Sequence, residues 1–203
     1  CPHQLDLFQW ICGMPKKVDA HLQFGHWHDI EVEDDVTAYF EYENGATGVF
    51  ITSTGDAPGS NRFEITLDKG KLVVENDKLY KWELSVPEPE WTKICKNPFD
   101  KPEITFSEVE TDGLNPQHNG VLNAFAAHIL HGTPLVANGV EGIRGLTISN
   151  AMHLSSFLGH PVELPFDEEL YYNELMKRVA TSRRKENVRA VVADTSNSYA
   201  GVK

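Results

Sequence analysis

Between residues 18 and 54 the side chains switch character with almost every residue, and that rhythm limits what the chain can become. Val18, Ala20, Leu22 and Phe24 alternate with Asp19, His21 and Gln23. Successive side chains of a strand point to opposite faces, so this is the period of a half-buried β-strand and not of a helix. Val36, Ala38, Phe40 and Tyr42 repeat it. Glu43-Asn44-Gly45 then reads as a hairpin turn, because Asn and Gly both tolerate positive φ, and a third strand is predicted over 46–54. Phe63, Ile65 and Leu67, the turn Asp68-Lys69-Gly70, and Leu72-Val73-Val74 predict a second hairpin. Weaker strands are predicted at 78–84 and 103–109, separated by a connector that carries Pro87, Pro89, Pro98 and Pro102.

Helical spacing governs the two ends. Residues 3–12 predict a helix with Pro2 at its first position and Gly13 and Pro15 as its stop. Leu5, Leu7, Phe8, Trp10, Ile11 and Cys12 cover nearly its whole circumference, so it is expected to be buried. From Asn115, expected as an N-cap ahead of Pro116, His118, Leu122, Phe125 and Ile129 share one face, and Gly132-Thr133-Pro134 ends the helix. Asn138 and Glu141 form a capping-box pattern opening a helix to about residue 158, whose Gly142, Gly145 and Ser149 are expected to admit another backbone. A last helix begins near Asp167-Glu168-Glu169, acidic where the dipole favours it. Hairpin-linked strands followed by helices predict an α+β fold: a large, mostly antiparallel open β-sheet with helices packed on one face. Thr37, Tyr39 and Thr52 are assigned to the other face, which is expected to be covered by a further subunit or domain. One domain is expected over residues 1–203, with 186–203 an irregular tail.

Composition removes several classes of function. The formal net charge of −12 repels polyanions, so no nucleic-acid partner is expected. The basic cluster of Lys177-Arg178 and Arg183-Arg184-Lys185 reads as a helix C-terminus, where cations suit the dipole. No apolar run approaches bilayer-spanning length, so no membrane partner is expected. Cys1, Cys12 and Cys95 form neither an even set nor a metal-type pair, which fits reduced thiols in a cytoplasmic compartment. Gly139, Gly142 and Gly145 lack dinucleotide-fingerprint spacing and lie in a helical stretch, so no cofactor is expected on this chain alone.

The residues that could carry chemistry are few. His3 and Asp6, three apart on the first helix, share a flank with Trp10. They read either as a structural pair bracing the core or as an acid/base pair that takes and returns a proton. His118, in the first turn of its helix and on its apolar face, reads as a capped core histidine. The loop Thr54–Arg62 is dense in hydrogen-bonding groups, and Asn61 and Arg62 are suited to sugar hydroxyls or a carboxylate; the alternative is an ordinary turn-rich loop. His26 and His28 on one face of a strand, with Glu33 beyond them, resemble part of a cupin metal site. That pattern departs at Ala20, where a Gly is needed, and has no third His after a Pro-x-Gly. Trp27 and His28 are expected instead to line a sugar pocket or an interface.

"PHQLDLFQWICGMP", "VEDDVTAYFEYENGATGVFITSTG", "NPQHNGVLNAFAAHILHGTPLVANGVEGIRGL" and "HPVELPFDEELYYNELM" together resemble, over roughly residues 1–176, the C-terminal domain of the Gfo/Idh/MocA family of NAD(P)-dependent oxidoreductases. The resemblance implies a partner N-terminal Rossmann domain that holds NAD or NADP, and a sheet domain that forms the substrate site and often an oligomer interface. It places His3 on the acid/base histidine of the pattern Asp-x-x-x-His-x-x-Asp-[Leu/Val], and Asp6-Leu7 on the Asp that follows, and it implies that the helix start at His118 faces the substrate. The pattern's first Asp would lie four residues before His3 and the family's Glu-Lys-Pro lysine in the Rossmann domain, so the chain is expected to begin inside the catalytic signature. The function so implied is that of the substrate-binding and dimerisation domain of a dehydrogenase acting on a sugar- or cyclitol-like polyol, inactive without its cofactor domain. Two other readings stay open: a non-catalytic sugar-binding or regulatory protein with the same domain, and a His/Glu metal-site enzyme.

Overall fold

The computed structural model describes residues 2–186; Cys1 and all but the first residue of the expected tail lie outside them. In chain order the elements are α1 (Pro2–Cys12), β1 (Lys17–Phe24), β2 (Glu33–Glu41), β3 (Thr47–Ser53), β4 (Arg62–Leu67), β5 (Gly70–Glu75), β6 (Lys78–Leu84), α2 (Glu88–Ile94), β7 (Ile104–Val109), α3 (Gln117–His131), α4 (Gly142–Leu158), β8 (Val162–Glu163) and α5 (Glu168–Val179). They fall into two compact units, one running through Thr54 and resuming at Gly142, the other spanning Gly55–Glu141. The α+β class and the antiparallel pairing are as expected. The large sheet is two four-stranded ones, β3-β2-β1-β8 and β4-β5-β6-β7.

In the first unit the alternation builds the core directly. Val18, Ala20 and Leu22 of β1 lie across from Phe40, Ala38 and Val36 of β2, and all six are buried with Leu5, Ile148, Ala151 and Met152. The hairpin between β2 and β3 closes with Tyr42 N–H donating to the Ala46 carbonyl at 3.0 Å and Asn44 Oδ1 accepting from Ala46 N–H at 3.0 Å. Gly45 takes φ +83° there and Asn44 does not share the positive φ. Thr52 pairs with Val36 and so lies on the inner face, not the outer one assigned to it. The register explains the shift: the outer residues of β3 are Val49 and Ile51, opposite Tyr39 and Thr37. Tyr39, Val49 and Ile51 are 43%, 62% and 70% exposed, which leaves the apolar outer face expected there.

α4 lies against β1 and completes its edge. β8 is only two residues long and pairs with Lys17 and Val18 alone. Beyond it, Ala20 N–H donates to Ser155 Oγ at 3.0 Å and Leu22 N–H to Ser156 Oγ at 3.3 Å. Two helix hydroxyls thus satisfy strand donors that burial would otherwise leave unpaired. α5 opens as expected, with the Asp167 carboxylate accepting from the Glu169 and Leu170 N–H groups, and Lys177 and Arg178 fall in its last turn.

α1 is not buried all round. Leu5 and Gln9 are buried, and Phe8 packs on Phe40 and Tyr42 with ring centroids 5.0 and 6.1 Å away. Trp10 and Ile11 remain 59% and 47% exposed because only one side of the helix meets the sheet and α4. Phe8 has room because position 48 is glycine: a Cβ there would stand 3.2 Å from its ring.

In the second unit the two weaker strands form as β6 and β7. The proline connector holds α2, whose Pro at N1/N2, acidic first turn and Lys93 in the last turn were a legible helix signature. Gly70 is required at the β4–β5 turn, since at φ +145° a Cβ would come within 1.9 Å of the Trp82 carbonyl oxygen. Trp82 and Phe106 form the centre of an aromatic cluster, with centroids 5.0 Å apart. α3 begins at Gln117, after a cap position taken by Pro116, so Asn115 is not its cap. Gln117 turns the chain at φ +47°, and Gly120 then fits against Pro116, which puts Asn115 outside the first turn. The apolar face of α3 is not packed either: Leu122, Phe125 and Ile129 are 65%, 54% and 66% exposed, in a unit where only Val73 and Pro102 are buried among the described residues.

Candidate functional site

The first unit contains a cleft of about 630 Å³ between α1, the inner face of β1–β3 and the N-terminal half of α4. His3 and Asp6 open onto it from α1; Leu22, Val36, Phe50 and Thr52 form its sheet wall; Ser149, Met152 and His153 line it from α4. An apolar floor with a few polar groups converging on it is the usual make-up of a small-molecule site. Gly142 and Gly145 also line it. A Cβ on either would meet nothing within 4 Å, so they leave open space and do not receive the close backbone expected of them.

His3 and Asp6 are both exposed, with no hydrogen bond between them among the described residues. Asp6 Oδ1 instead accepts from Gln9 Nε2 at 3.0 Å. Gln9 is 3% exposed, and its own Oε1 is buried without a partner among the described residues. The buried amide therefore fixes the Asp6 carboxylate at the cleft while His3, one turn earlier, stays open to a ligand.

The segment 25–32 is a loop, and His26 and His28 do not share a strand face as expected. Gly25 turns the chain at φ +58°, where a Cβ would lie 2.3 Å from the Ile30 carbonyl oxygen. The Asp34 carboxylate then collects three successive amides: His26 N–H at 2.9 Å, Trp27 N–H at 2.7 Å and His28 N–H at 2.9 Å. Three consecutive N–H groups aimed at one point are a nest, which a strand's alternating amides cannot make. His28 Nδ1 adds a contact to Asp34 Oδ2 at 3.3 Å and meets Thr54 Oγ1 at 3.2 Å. The Asp34 carbonyl accepts from Thr54 N–H at 2.9 Å. Trp27 is 52% exposed, with its indole N–H on Asp35 at 3.2 Å. Trp27 and His28 thus sit on a loop at the cleft's edge and are not among its lining residues.

Burial alone would raise the Asp34 carboxyl. The amides of His26, Trp27 and His28, with the His28 ring, outweigh it and bring the group down from 3.8 to about 2. A carboxyl depressed in the folded state contributes stability above its unfolded value, and that contribution is lost as pH falls through the folded value. The amide resonances of His26, Trp27 and His28 are therefore expected to hold their positions at pH 5 and to move together as pH is lowered from about 4 to about 2. Asp34→Asn is expected to show the displaced resonances already at neutral pH. Resonances indifferent to both changes would show that the nest is not held by this carboxylate.

The cupin-like set is not assembled. Glu33 turns into the cleft, where its Oε2 lies 3.0 Å from His153 Nε2, and no three His, Cys, Asp or Glu groups converge as a metal site among the described residues. The remaining expected ligand groups belong to the second unit. Arg62 is engaged by Glu75 at 2.8 Å and by Glu64. Asn61 and His118 are exposed. The pair Glu33–His153 was not foreseen. Only His153 carried a signal, four residues beyond Ser149 on the helix face already marked by Gly142 and Gly145; nothing local ties it to Glu33.

Taken as architecture, the first unit is an antiparallel open-sheet domain whose cleft lies under two helices and carries a histidine and a carboxylate on the first of them. The model of the GFO/IDH/MocA C-terminal domain family matches residues 1–73, the stretch that holds α1, β1–β4 and the start of β5. Solved oxidoreductases share the fold. Levoglucosan dehydrogenase, solved with NADH and levoglucosan, superposes with a TM-score of 0.62 at 18% identity, covering 81% of this chain and 49% of that one. Aldose-aldose oxidoreductase from Caulobacter crescentus, solved with glycerol, gives 0.61 at 18% identity, covering 80% and 45%. The WlbA dehydrogenase from Bordetella pertussis, solved with NADH and UDP-GlcNAcA, gives 0.58 at 20% identity, covering 82% and 44%. The chain thus spans about half the length of the solved proteins that it matches. No curated protein matches it in sequence. No described helix is long and apolar enough to cross a membrane.

Proposed function

We propose that this chain is the substrate-binding and dimerisation domain of an NAD(P)-dependent dehydrogenase acting on a sugar- or cyclitol-like polyol, with His3 as its acid/base. The observation that carries the reading is His3 on the wall of the cleft, at the position that the family pattern assigns to that histidine. The fold shared with enzymes solved with NADH and levoglucosan, or with glycerol, supports the substrate class. The chemistry demands little of this domain. A polyol lies on Leu22, Val36 and Phe50, His3 removes the proton of the hydroxyl being oxidised, and Asp6, held by Gln9, accepts a neighbouring hydroxyl. Removing that proton as the carbinol hydrogen leaves avoids a high-energy cationic intermediate. NAD or NADP, bound by a partner Rossmann domain, supplies the hydride acceptor. No Gly-x-Gly-x-x-Gly follows a strand in this chain, which leaves its phosphates to that domain.

The protein carrying both domains is expected to form NADH or NADPH when mixed with NAD(P)⁺ and a panel of neutral polyols, followed by the absorbance of the reduced nicotinamide. Binding of polyols without any cofactor reduction would favour the sugar-binding or regulatory reading instead. For dimerisation, the exposed Tyr39, Val49 and Ile51 supply the apolar patch. Ile51→Asp, which puts a charge at the patch's most exposed member, is expected to shift the protein toward monomer in analytical ultracentrifugation. An unchanged sedimentation coefficient would remove this face from the assembly.

A further inference from the structure

The cleft holds a second histidine–carboxylate pair whose hydrogen bonds fix its proton count. His153 Nδ1 lies 2.8 Å from the Ser149 carbonyl oxygen, which can only accept, so Nδ1 carries a proton. His153 Nε2 lies 3.0 Å from Glu33 Oε2. If Glu33 is ionised it too can only accept, and Nε2 must also donate. Both ring nitrogens are then protonated, and the pair is an imidazolium–carboxylate contact.

The imidazolium has no N–H left for a ligand, since both are used. The carboxylate does have capacity: Oε1 of Glu33 makes no hydrogen bond among the described residues, and the side chain is 34% exposed at the cleft wall. Other groups face the pair from the elements packed around it. Phe157 closes on His153 edge-on at 5.9 Å, and the Arg178 guanidinium lies over that ring at 3.5 Å. From α5 the Tyr171 phenol is pushed up, first by partial burial and then by the Glu33 charge. Asp34, next along β2, is committed to its own loop. His3 and Asp6 face the same cleft from α1.

We propose that Glu33, held in place by a doubly protonated His153, is a hydroxyl-accepting ligand group of the cleft that orients a neutral polyol, with His153 as its positioning residue. This rests on the reading of the cleft as a polyol site and extends it. His3 takes a proton; Glu33 takes a hydrogen bond and leaves the proton where it is. A hydrogen bond to a charged acceptor is stronger than one between neutral groups, so its loss is expected to weaken polyol binding roughly tenfold.

The test uses the 203-residue chain labelled with ¹⁵N, with imidazole ¹H–¹⁵N correlation spectra read at neutral pH and glucose as the probe. Both nitrogens of His153 are expected to be protonated, and glucose is expected to shift the His153 and His3 signals along one binding curve. Glu33→Gln, close in shape, is expected to return His153 to a single ring proton and to weaken the glucose curve about tenfold while His3 still responds. A singly protonated His153 in the unaltered chain would overturn the proposal. So would a glucose response at His3 without one at His153, because a merely structural pair behaves that way. A response at neither histidine would overturn the polyol reading of the cleft itself, and this inference with it.

Discussion

Replacing His3 by alanine is expected to lower kcat of the proposed two-domain enzyme by about 100- to 10 000-fold, the range that positioned acid–base catalysis supplies. Folding stability is expected to change little. The reason lies in the environment of the side chain. His3 is exposed at the first turn of α1, and the helix is anchored farther along, by Leu5, Phe8 and Gln9. Removing the ring deletes no core contact and leaves Asp6 on Gln9 at 3.0 Å. The two measurements must therefore separate: turnover falls while the midpoint of thermal unfolding stays within the small range of surface substitutions. His3→Gln offers hydrogen-bonding atoms without a titrating ring, and it should fall with alanine if proton transfer is the role. Wild-type turnover in His3→Ala would return the residue to the structural class left open by the sequence.

How much of this could be read in advance depended on distance along the chain. Val18, Ala20, Leu22, Val36, Ala38 and Phe40 announce their burial by alternation alone, because a strand with one wet face must alternate. Gly45 and Asp167 likewise carry their roles in local spacing. Thr52 was misplaced because period-two reading shows that residues alternate but not which set faces inward; the pairing with Val36 settles it. β8 is two residues long and has no period to detect. The exposure of Trp10 and Ile11 could not be read from an all-round apolar helix, since composition does not say how many sides have a neighbour. The Asp34 nest looks like a strand in sequence because its decisive feature is a positive φ at Gly25. Glu33 and His153 are 120 residues apart, and no local pattern links them. His3 and Asp6 were legible as candidates through the family wording around them, while their neighbours in the cleft came only with the fold.

The largest stability effect is expected from Phe40→Ala, at about 3–5 kcal/mol. Phe40 is 0% exposed and lies at the centre of the first unit's core. Its ring sits 5.0 Å from Phe8, and so joins the sheet to the helix that carries His3. Truncation leaves a cavity that Val18, its cross-strand partner, cannot fill without moving β1 off α4. That movement would strain the Ser155 and Ser156 bonds to the β1 edge, which argues for the upper part of the range. Ile51→Ala removes an aliphatic side chain of one neighbouring strand, but from the outer face at 70% exposure, and is expected to stay within about 0.5 kcal/mol in the monomer. Denaturant unfolding of the two variants measures the contrast. Phe40→Leu, which keeps most of the volume, should recover much of the loss. If Phe40→Ala and Ile51→Ala destabilised equally, the assignment of inner and outer faces would be wrong, and the cleft built on the inner face would go with it. If Phe40→Ala is destabilised as expected and also loses turnover at temperatures where it remains folded, the loss traces to α1: its seat on Phe40 through Phe8 is what holds His3 at the cleft.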